Sequence, residues 1–479
     1  MAADQDGGQW VESSSIEAVP ASRRHGHVRD LFTLWFTTNI APLPIVTGAM
    51  AVQDFGLPLI GAASAIILGH AVGGIFLAAC SAQGPRLGLP QMIQSRGQFG
   101  RYGALVIVIV AALLYIGFFI SNIVLAGKSI VGLVPAVPMS IAAIAAAMAA
   151  AGIGILGYDV IHLLNRIGMW AMGAVLIVAL AIIVHKMPAP AWHAGSITAI
   201  GWFSTFSLAA VWQISYACYT SDYSRYLPEG VGFARPFWAS YCGSVLGASG
   251  SFLFGALAVA GAAHGADAMT TVSTVTGIVG PVVMLLFVLN IISHNALNNY
   301  GATLSLITMG QTFAARWHPA RMARILLSGI VLAGSVSVAV LATGFVAGFI
   351  GFVVALMIVL APWATINLVD FYLLKHGRYD MASLFAKDGG IYGRVSPAAI
   401  GAYAIGIAVQ LPFLSFGAFK GWFTGSLGGV DIGWLIAIPT TGLSFILLTK
   451  AFARTDRAAA QGPFSEAMTG APPAGSSPR

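Results

Sequence analysis

The chain has 479 residues, of which 58% are hydrophobic and only 8% charged. A soluble domain carries about 25% charged residues, so a water-soluble globule is excluded. The formal net charge is +7, but the basic residues recur between apolar runs instead of forming one patch, which reads as membrane topology and not as a nucleic-acid surface.

Twelve apolar stretches long enough to cross roughly 30 Å of hydrocarbon recur along the chain. They lie at about 31–52, 57–80, 102–127, 136–156, 158–185, 201–226, 236–263, 279–312, 324–342, 344–374, 397–416 and 431–452. The alternating pattern of a membrane β-barrel is absent, so an all-α polytopic membrane protein is expected. The eighth and tenth stretches exceed what a bilayer needs, which predicts tilt or an extension into the cytoplasm. With the N-terminus inside, all of the 23 Lys and Arg except Lys128, Lys186 and Lys420 fall on cytoplasmic segments, and both termini are cytoplasmic. Residues 1–30 form a polar N-terminal tail with no cleavable signal, and 453–479 form a second disordered tail. Cys80, Cys218 and Cys242 fall in or beside spans and read as small core residues, not as a disulfide framework.

The first span, LFTLWFTTNIAPLPIVTGAMAV, places Pro42 and Pro44 in mid-membrane after Asn39. Prolines there remove backbone donors and free carbonyls, giving either a kinked helix or an unwound segment lining a ligand or ion site. In the third span, YIGFFISN sets Tyr115, Phe118 or Phe119, and Asn122 on one helical face, either as packing or as a ligand shelf. The sixth span contains AAVWQISYACYTSDYSRYLP. Its Trp212 lies too deep for an interfacial belt, Gln213 points elsewhere, and Asp222 with Arg225 reads as a structural pair. The eighth span concentrates Asn290, His294, Asn295, Asn298 and Asn299 within NIISHNALNNYG, right after VVMLLFVL, with Asn290, His294 and Asn298 expected on one helical face and Asn295 and Asn299 on the other. Interhelical polar bonds in membranes average about 0.6 kcal/mol, too little to justify so many amides as glue alone. A binding surface is the expectation.

No Asp, Glu, Lys or Arg can be placed at mid-membrane. Amides, hydroxyls, aromatics and one histidine suit a planar, polar, uncharged ligand, since Asn and Gln match the mixed donor and acceptor edges of nucleobases. Aromatic faces add about 1–3 kcal/mol per stacked base.

Together TGAM…FGL, ILGHAVGGIF, GPRLGLPQMIQSRGQFGRYG, SDYSRYLP and LNIISHNALNNY resemble the purine–cytosine permeases of the nucleobase:cation symporter family, over about residues 28–450. The resemblance implies a LeuT-type fold: two inverted five-helix repeats at 31–186 and 201–374, then two C-terminal helices at 395–452. It implies a substrate between the broken first and sixth helices and the third and eighth. Carried over by position, the sandwiching aromatics fall on Phe118 and on Trp212 or its neighbour Gln213, and the edge-binding amide on Asn290. Tyr115 stands where a relative has Gln. His294, Asn295 and Asn298 match polar positions of an N-N-x-P-N motif, with Leu297 in place of its proline. Sodium-coupled relatives place two adjacent hydroxyls in the eighth helix, whereas here the pair reads Ser293–His294. That departure favours a proton over sodium as coupling ion, with His294 either the carrier or a neutral hydrogen-bonding residue.

The expected function is import of cytosine or a purine (adenine, guanine or hypoxanthine) across a plasma membrane, in a bacterium the inner membrane, without cofactor or metal. The alternatives are the same fold carrying hydantoin, allantoin or a thiamine-precursor pyrimidine, and a non-transporting membrane sensor. No HExxH, GxSxG, paired carboxylates or Cys/His cluster points to an enzyme.

Overall fold

The computed structural model describes residues 18–460, apart from 157, 193–194, 263–265, 315–316, 318–320 and 342–344. The first apolar run does not form one helix. α1 (Val28–Thr38) ends at Asn39 and α2 (Pro42–Gln53) begins after Ala41. Ala41 is extended at φ −146° and ψ 159°, the conformation into which a proline pushes the residue before it, and Pro42 sits at the first helical position, where its missing N–H costs nothing.

α3 (Leu59–Ser81) is followed by the short α4 (Gly84–Leu87) and α5 (Gln91–Phe99), then by α6 (Leu105–Leu133), α7 (Met139–Leu156) and α8 (Tyr158–Lys186). The next set of helices also opens with a broken one. α9 (Ala199–Tyr216) gives way to a tight turn over Ala217–Tyr219 before α10 (Thr220–Ser224). Then come α11 (Ala234–Val259), the short α12 (Ala268–Val275), α13 (Gly280–Phe313), α14 (Arg321–Leu341) and α15 (Phe345–Leu368), the last running into a wider helical turn over Val369–Leu374. α16 (Met381–Phe385) precedes α17 (Pro397–Ala408), a hairpin of β1 (Ser415–Phe416) and β2 (Phe419–Lys420), and α18 (Gly433–Ala460). All twelve apolar stretches therefore carry helix. Among the described residues, seven helices are long and apolar enough to cross a membrane. Large apolar side chains face outward on these helices, with Leu246 at 58% and Ile330 at 65% exposure, which suits lipid and not water.

The first broken helix lies along α11, α3 along α9, and α13 along α6. Small residues set these spacings. A Cβ on Gly48 would fall 2.1 Å from the Phe252 carbonyl oxygen, and one on Gly255 would fall 1.8 Å from that of Ile45, so α2 and α11 touch backbone to backbone.

The Arg-rich ends of the helices gather at one end of the bundle, and α5 is wedged there. Gln91, Gln94, Ser95, Arg96 and Gln98 of this helix are all buried. The Asp222 carboxylate accepts from the Gln91 N–H at 2.8 Å, which places a negative group at the α5 N-terminus. Gln83 bridges Gln91 and Asn367, while Arg101 donates to the Gln311 and Thr312 carbonyls at the end of α13. Arg225 donates to the Asp222 backbone carbonyl.

Residues 18–27, expected as part of a tail, are strapped onto this end through Val19 N–H to Gly88 O, Arg24 to Pro85 O and Gly26 N–H to Tyr226 O. α18 likewise extends past the expected boundary at 452; the remaining tail residues lie outside the described ones. At the opposite end, Lys128 of α6 clasps Asp267, which also caps α12 through the Thr270 N–H. Burial alone would raise the Asp267 carboxyl, but hydrogen bonds from Lys128 and Thr270 outweigh it and hold it below the usual carboxylate range. The three cysteines are free thiols.

Gly48→Leu drives a side chain into the α11 backbone and should lower stability by at least about 1–3 kcal/mol, the range for overpacking. Denaturation of the purified protein in detergent measures this, and an unchanged midpoint would show that α2 and α11 are not held at backbone contact.

Candidate binding site at the broken helices

The site is built around Asn39, which is fully buried at the end of α1. Its Nδ2 donates to the Trp35 carbonyl at 2.7 Å and to Ser244 Oγ of α11 at 3.2 Å, and its Oδ1 accepts from Trp212 Nε1 of α9 at 2.8 Å. Its backbone carbonyl, freed by the break, accepts from Ser251 Oγ at 2.7 Å. The next freed carbonyl, of Ile40, faces Asn290 Nδ2 of α13 at 3.5 Å. Asn39 and Ile40 therefore bring α9, α11 and α13 to one point.

Two rings meet beside that point. Phe118 of α6 and Trp212 have centroids 5.7 Å apart with planes at 59°, and Phe352 of α15 stands edge-on to Phe118 at 5.7 Å. Toward the Arg-rich end, Tyr115 packs on Tyr219 at 5.3 Å, and Trp35 contacts Tyr216, Tyr219 and Tyr223. Tyr115 is thus part of an aromatic plug below the ring pair, closed against Gly301 of α13, where a Cβ would fall 2.5 Å from the Tyr115 ring. Phe119 points the other way, into a cluster with Ala143, Ala147 and Ala339.

The amides of α13 divide between two faces. Asn290 and His294 face the break: His294 Nδ1 lies 3.0 Å from the Asn290 carbonyl, and the ring also meets the Thr38 backbone. Asn290 Oδ1 is buried without a hydrogen-bond partner among the described residues. Asn295 turns to α6, donating to the Phe119 carbonyl at 3.1 Å, while its Oδ1 accepts from Asn122 at 3.1 Å and from Asn298 at 3.2 Å. Those three amides largely satisfy one another. Asn299 donates to Ser328 of α14 at 2.6 Å. Ser293 is buried next to His294.

Gln213 is engaged at both ends of its amide. Nε2 lies 3.1 Å from His70 Nδ1 and 3.3 Å from the Ser244 carbonyl, and Oε1 accepts from Ser244 Oγ at 2.5 Å. His70, on α3, escaped the sequence reading as a functional candidate, because a single histidine in the apolar, Gly-rich ILGHAVGGIF has no periodic signal. Among the described residues no group of three His, Cys, Asp or Glu is placed to hold a metal. Two hollows of about 660 and 710 Å³ open at the Arg-rich end, lined by residues such as Arg101 and Arg394, and Arg86 and Lys375, away from the break.

A family model described as permease for cytosine/purines, uracil, thiamine, allantoin matches residues 18–437. The provisionally named purine–cytosine permease YxlA of Bacillus subtilis is 34% identical over 92% of this chain and 96% of its own. The purine–cytosine permease FCY2 of Saccharomyces cerevisiae is 23% identical over 88% of this chain and 83% of its own. Among solved structures, the nucleobase-cation-symport-1 family transporter Mhp1, closed with bromovinylhydantoin bound, superposes with a TM-score of 0.73 at 16% identity, over 93% of this chain and 96% of that one. The same transporter in its inward-facing conformation gives the same TM-score of 0.73. The fold is therefore that of Mhp1.

Asn39→Ala leaves the buried Trp212 N–H without its acceptor and should cost about 1–3 kcal/mol, the cost of stranding a buried polar group. The shift in denaturation midpoint in detergent reads this; no shift would mean that Asn39 does not organise the site.

Proposed function

The chain belongs to the family of permeases for cytosine/purines, uracil, thiamine and allantoin, and from that premise we propose that it imports a nucleobase, cytosine or a purine such as adenine, guanine or hypoxanthine, by proton symport. One observation carries the substrate reading. A pair of aromatic rings from α6 and α9 stands by the break, where Asn290 Oδ1 is a buried acceptor without a partner among the described residues. A planar base would stack between the rings and give an N–H to that acceptor, exchanging its water shell for protein groups. At 5.7 Å the rings are too close for an interposed base, which needs about two van der Waals layers, roughly 7 Å. Binding on this reading parts Phe118 from Trp212.

The coupling reading rests on what meets the freed carbonyls. Donors of α13 itself, Asn290 Nδ2 and the His294 ring, face the Ile40 carbonyl and the Thr38 backbone. A sodium ion would need those oxygens for itself, whereas an imidazole beside them can take up and release a proton. On this reading Asn39, Tyr115, Asn122, Gln213, Asn295 and Asn298 shape and support the site, and Ser293 with His294 forms the coupling position. The protein would lie in a plasma membrane, the inner membrane of a bacterium, with its Arg-rich end and both termini in the cytoplasm.

Uptake of radiolabelled cytosine and adenine by cells expressing the protein tests both readings. Saturable uptake abolished by a protonophore and indifferent to sodium is expected. Uptake that requires sodium overturns the coupling. If neither base enters, the substrate class fails, and competition with hydantoin, allantoin and thiamine precursors is the next arm.

Phe118→Leu should weaken base binding about tenfold or more, as loss of a stacking face implies, while Phe119→Leu, in its separate cluster, leaves affinity nearly unchanged. The reverse order would place the stacking surface on the other side of α6. His294→Gln should flatten the pH dependence of uptake; an unchanged profile removes His294 from proton coupling.

A further inference from the structure

We infer that His70 is a positioning residue: as a neutral imidazole accepting at Nδ1, it takes the Gln213 NH₂ and anchors the far end of a hydrogen-bond chain running through Gln213, Ser244 and Asn39 to the indole of Trp212. The functional consequence rests on the proposed stacking role of Trp212. The lock itself rests on geometry alone.

Each link has one allowed direction. A carbonyl oxygen can only accept, so the group 3.3 Å from the Ser244 carbonyl must be the Gln213 NH₂ and not its oxygen. The same NH₂ therefore donates to His70 Nδ1 at 3.1 Å, which leaves Nδ1 bare and the ring proton on Nε2. Gln213 Oε1 then faces the Ser244 hydroxyl at 2.5 Å and takes its proton, so Ser244 Oγ receives from Asn39 Nδ2 at 3.2 Å. Asn39 is pinned the same way, because its NH₂ also lies 2.7 Å from the Trp35 carbonyl. Its oxygen is left for Trp212 Nε1, an obligate donor, at 2.8 Å. Five side chains from α1, α3, α9 and α11 thus form one oriented chain, with His70 at its far end.

A second route joins the same two residues. The Phe252 ring lies 4.5 Å from the His70 ring at 86° and 5.5 Å from the Trp212 ring at 74°. His70 consequently holds Trp212 by its N–H through the chain and by its face through Phe252. A proton added at Nδ1 would confront the Gln213 NH₂, and the amide cannot turn over because the Ser244 carbonyl blocks it. The titratable group bonded nearest along α3 is Tyr241 of α11, which donates to the Ala71 carbonyl and not to the imidazole. His70 is fully buried, with Nε2 unpartnered among the described residues, so its role is to present Nδ1.

The test compares three variants in base uptake, alongside nitrogen NMR of the purified wild type labelled in histidine. Asn carries its side-chain oxygen close to where Nδ1 stands, whereas Gln carries its polar group near Nε2 and Leu carries none. His70→Leu and His70→Gln should raise the KM for the base about tenfold with maximal rate and pH profile retained, as loss of one buried acceptor implies. His70→Asn should restore KM to within about threefold of wild type. The NMR spectrum should show a neutral ring protonated at Nε2 across the pH range of transport.

An unchanged KM in folded His70→Leu overturns the proposal, as does a KM defect shared equally by His70→Asn. So does a wild-type ring protonated at Nδ1, a readout that stands even if the variants fail to fold. A wild type that takes up no base sinks the functional reading instead, and the NMR tautomer then decides the lock.

Discussion

A backbone carbonyl released from a helix inside hydrocarbon has no water to turn to, so the protein must supply every partner itself. The rest of this structure is arranged around that constraint at residues 39–41. Pro42 and the extended Ala41 force the break, and the freed oxygens of Asn39 and Ile40 are met by Ser251 of α11 and Asn290 of α13. The Asn39 side chain ties the same point to α9 and α11. Breaking one helix thus obliges three others to converge, and a site forms where they meet.

The two ends of the bundle close over that point by different means. On the Arg-rich side, the Trp35, Tyr115, Tyr216 and Tyr219 rings fill the path, and α5 ties α10, α15, α16 and Gln83, in the turn before α4, together below them through the Gln91–Asp222, Ser95–Trp363, Arg96–Leu384 and Gln91–Gln83 bonds. On the other side the seal is lighter: Phe352 lies against Phe118, and one Lys128–Asp267 clasp reaches α12. Both clasp residues are about a third exposed, so the pair contributes about 1 kcal/mol or less. A clasp of that size is cheap to open, whereas opening the Arg-rich side means separating packed rings and several buried hydrogen bonds.

The fold was largely legible in the sequence because membranes make patterns coarse: span lengths come from bilayer thickness, and Pro42 with Pro44 after Asn39 announces a break. The site was legible only in part. Spacing sets Asn290, His294 and Asn298 on one face of NIISHNALNNYG, yet only Asn290 and His294 turn to the break, while the Asn298 amide reaches back to Asn295 and joins Asn122 against α6. Spacing gives the direction in which each side chain leaves the helix, but not how far an amide such as Asn298 bends toward a neighbour. Gln213 and His70 were harder. Their meaning lies in each other, across 143 residues of sequence, and neither carries a periodic signal. The buried polar face of α5 was missed for a related reason, since a short polar segment between spans looks like any solvated loop until its partners on α10, α15 and α16 are known.

The use of amides in place of charges follows from the same energetics. A charged side chain at the bilayer centre costs at least about 2.5–3.5 kcal/mol and needs a fixed counter-charge, which would resist the rearrangement that alternating access requires. Amides and hydroxyls keep directionality without net charge, and their orientation can be set by an obligate acceptor such as the Trp35 or Ser244 carbonyl. That permits a site with defined donor and acceptor positions that still moves between two faces of the membrane. It also sets the two imidazoles apart: His70 accepts from Gln213, whereas His294 turns its Nδ1 to the Asn290 carbonyl, which can only accept. On the proposed coupling, a proton taken up at His294 would fall next to the Asn290 carbonyl and the Thr38 backbone, which would link ion loading to the substrate face within about one turn of α13.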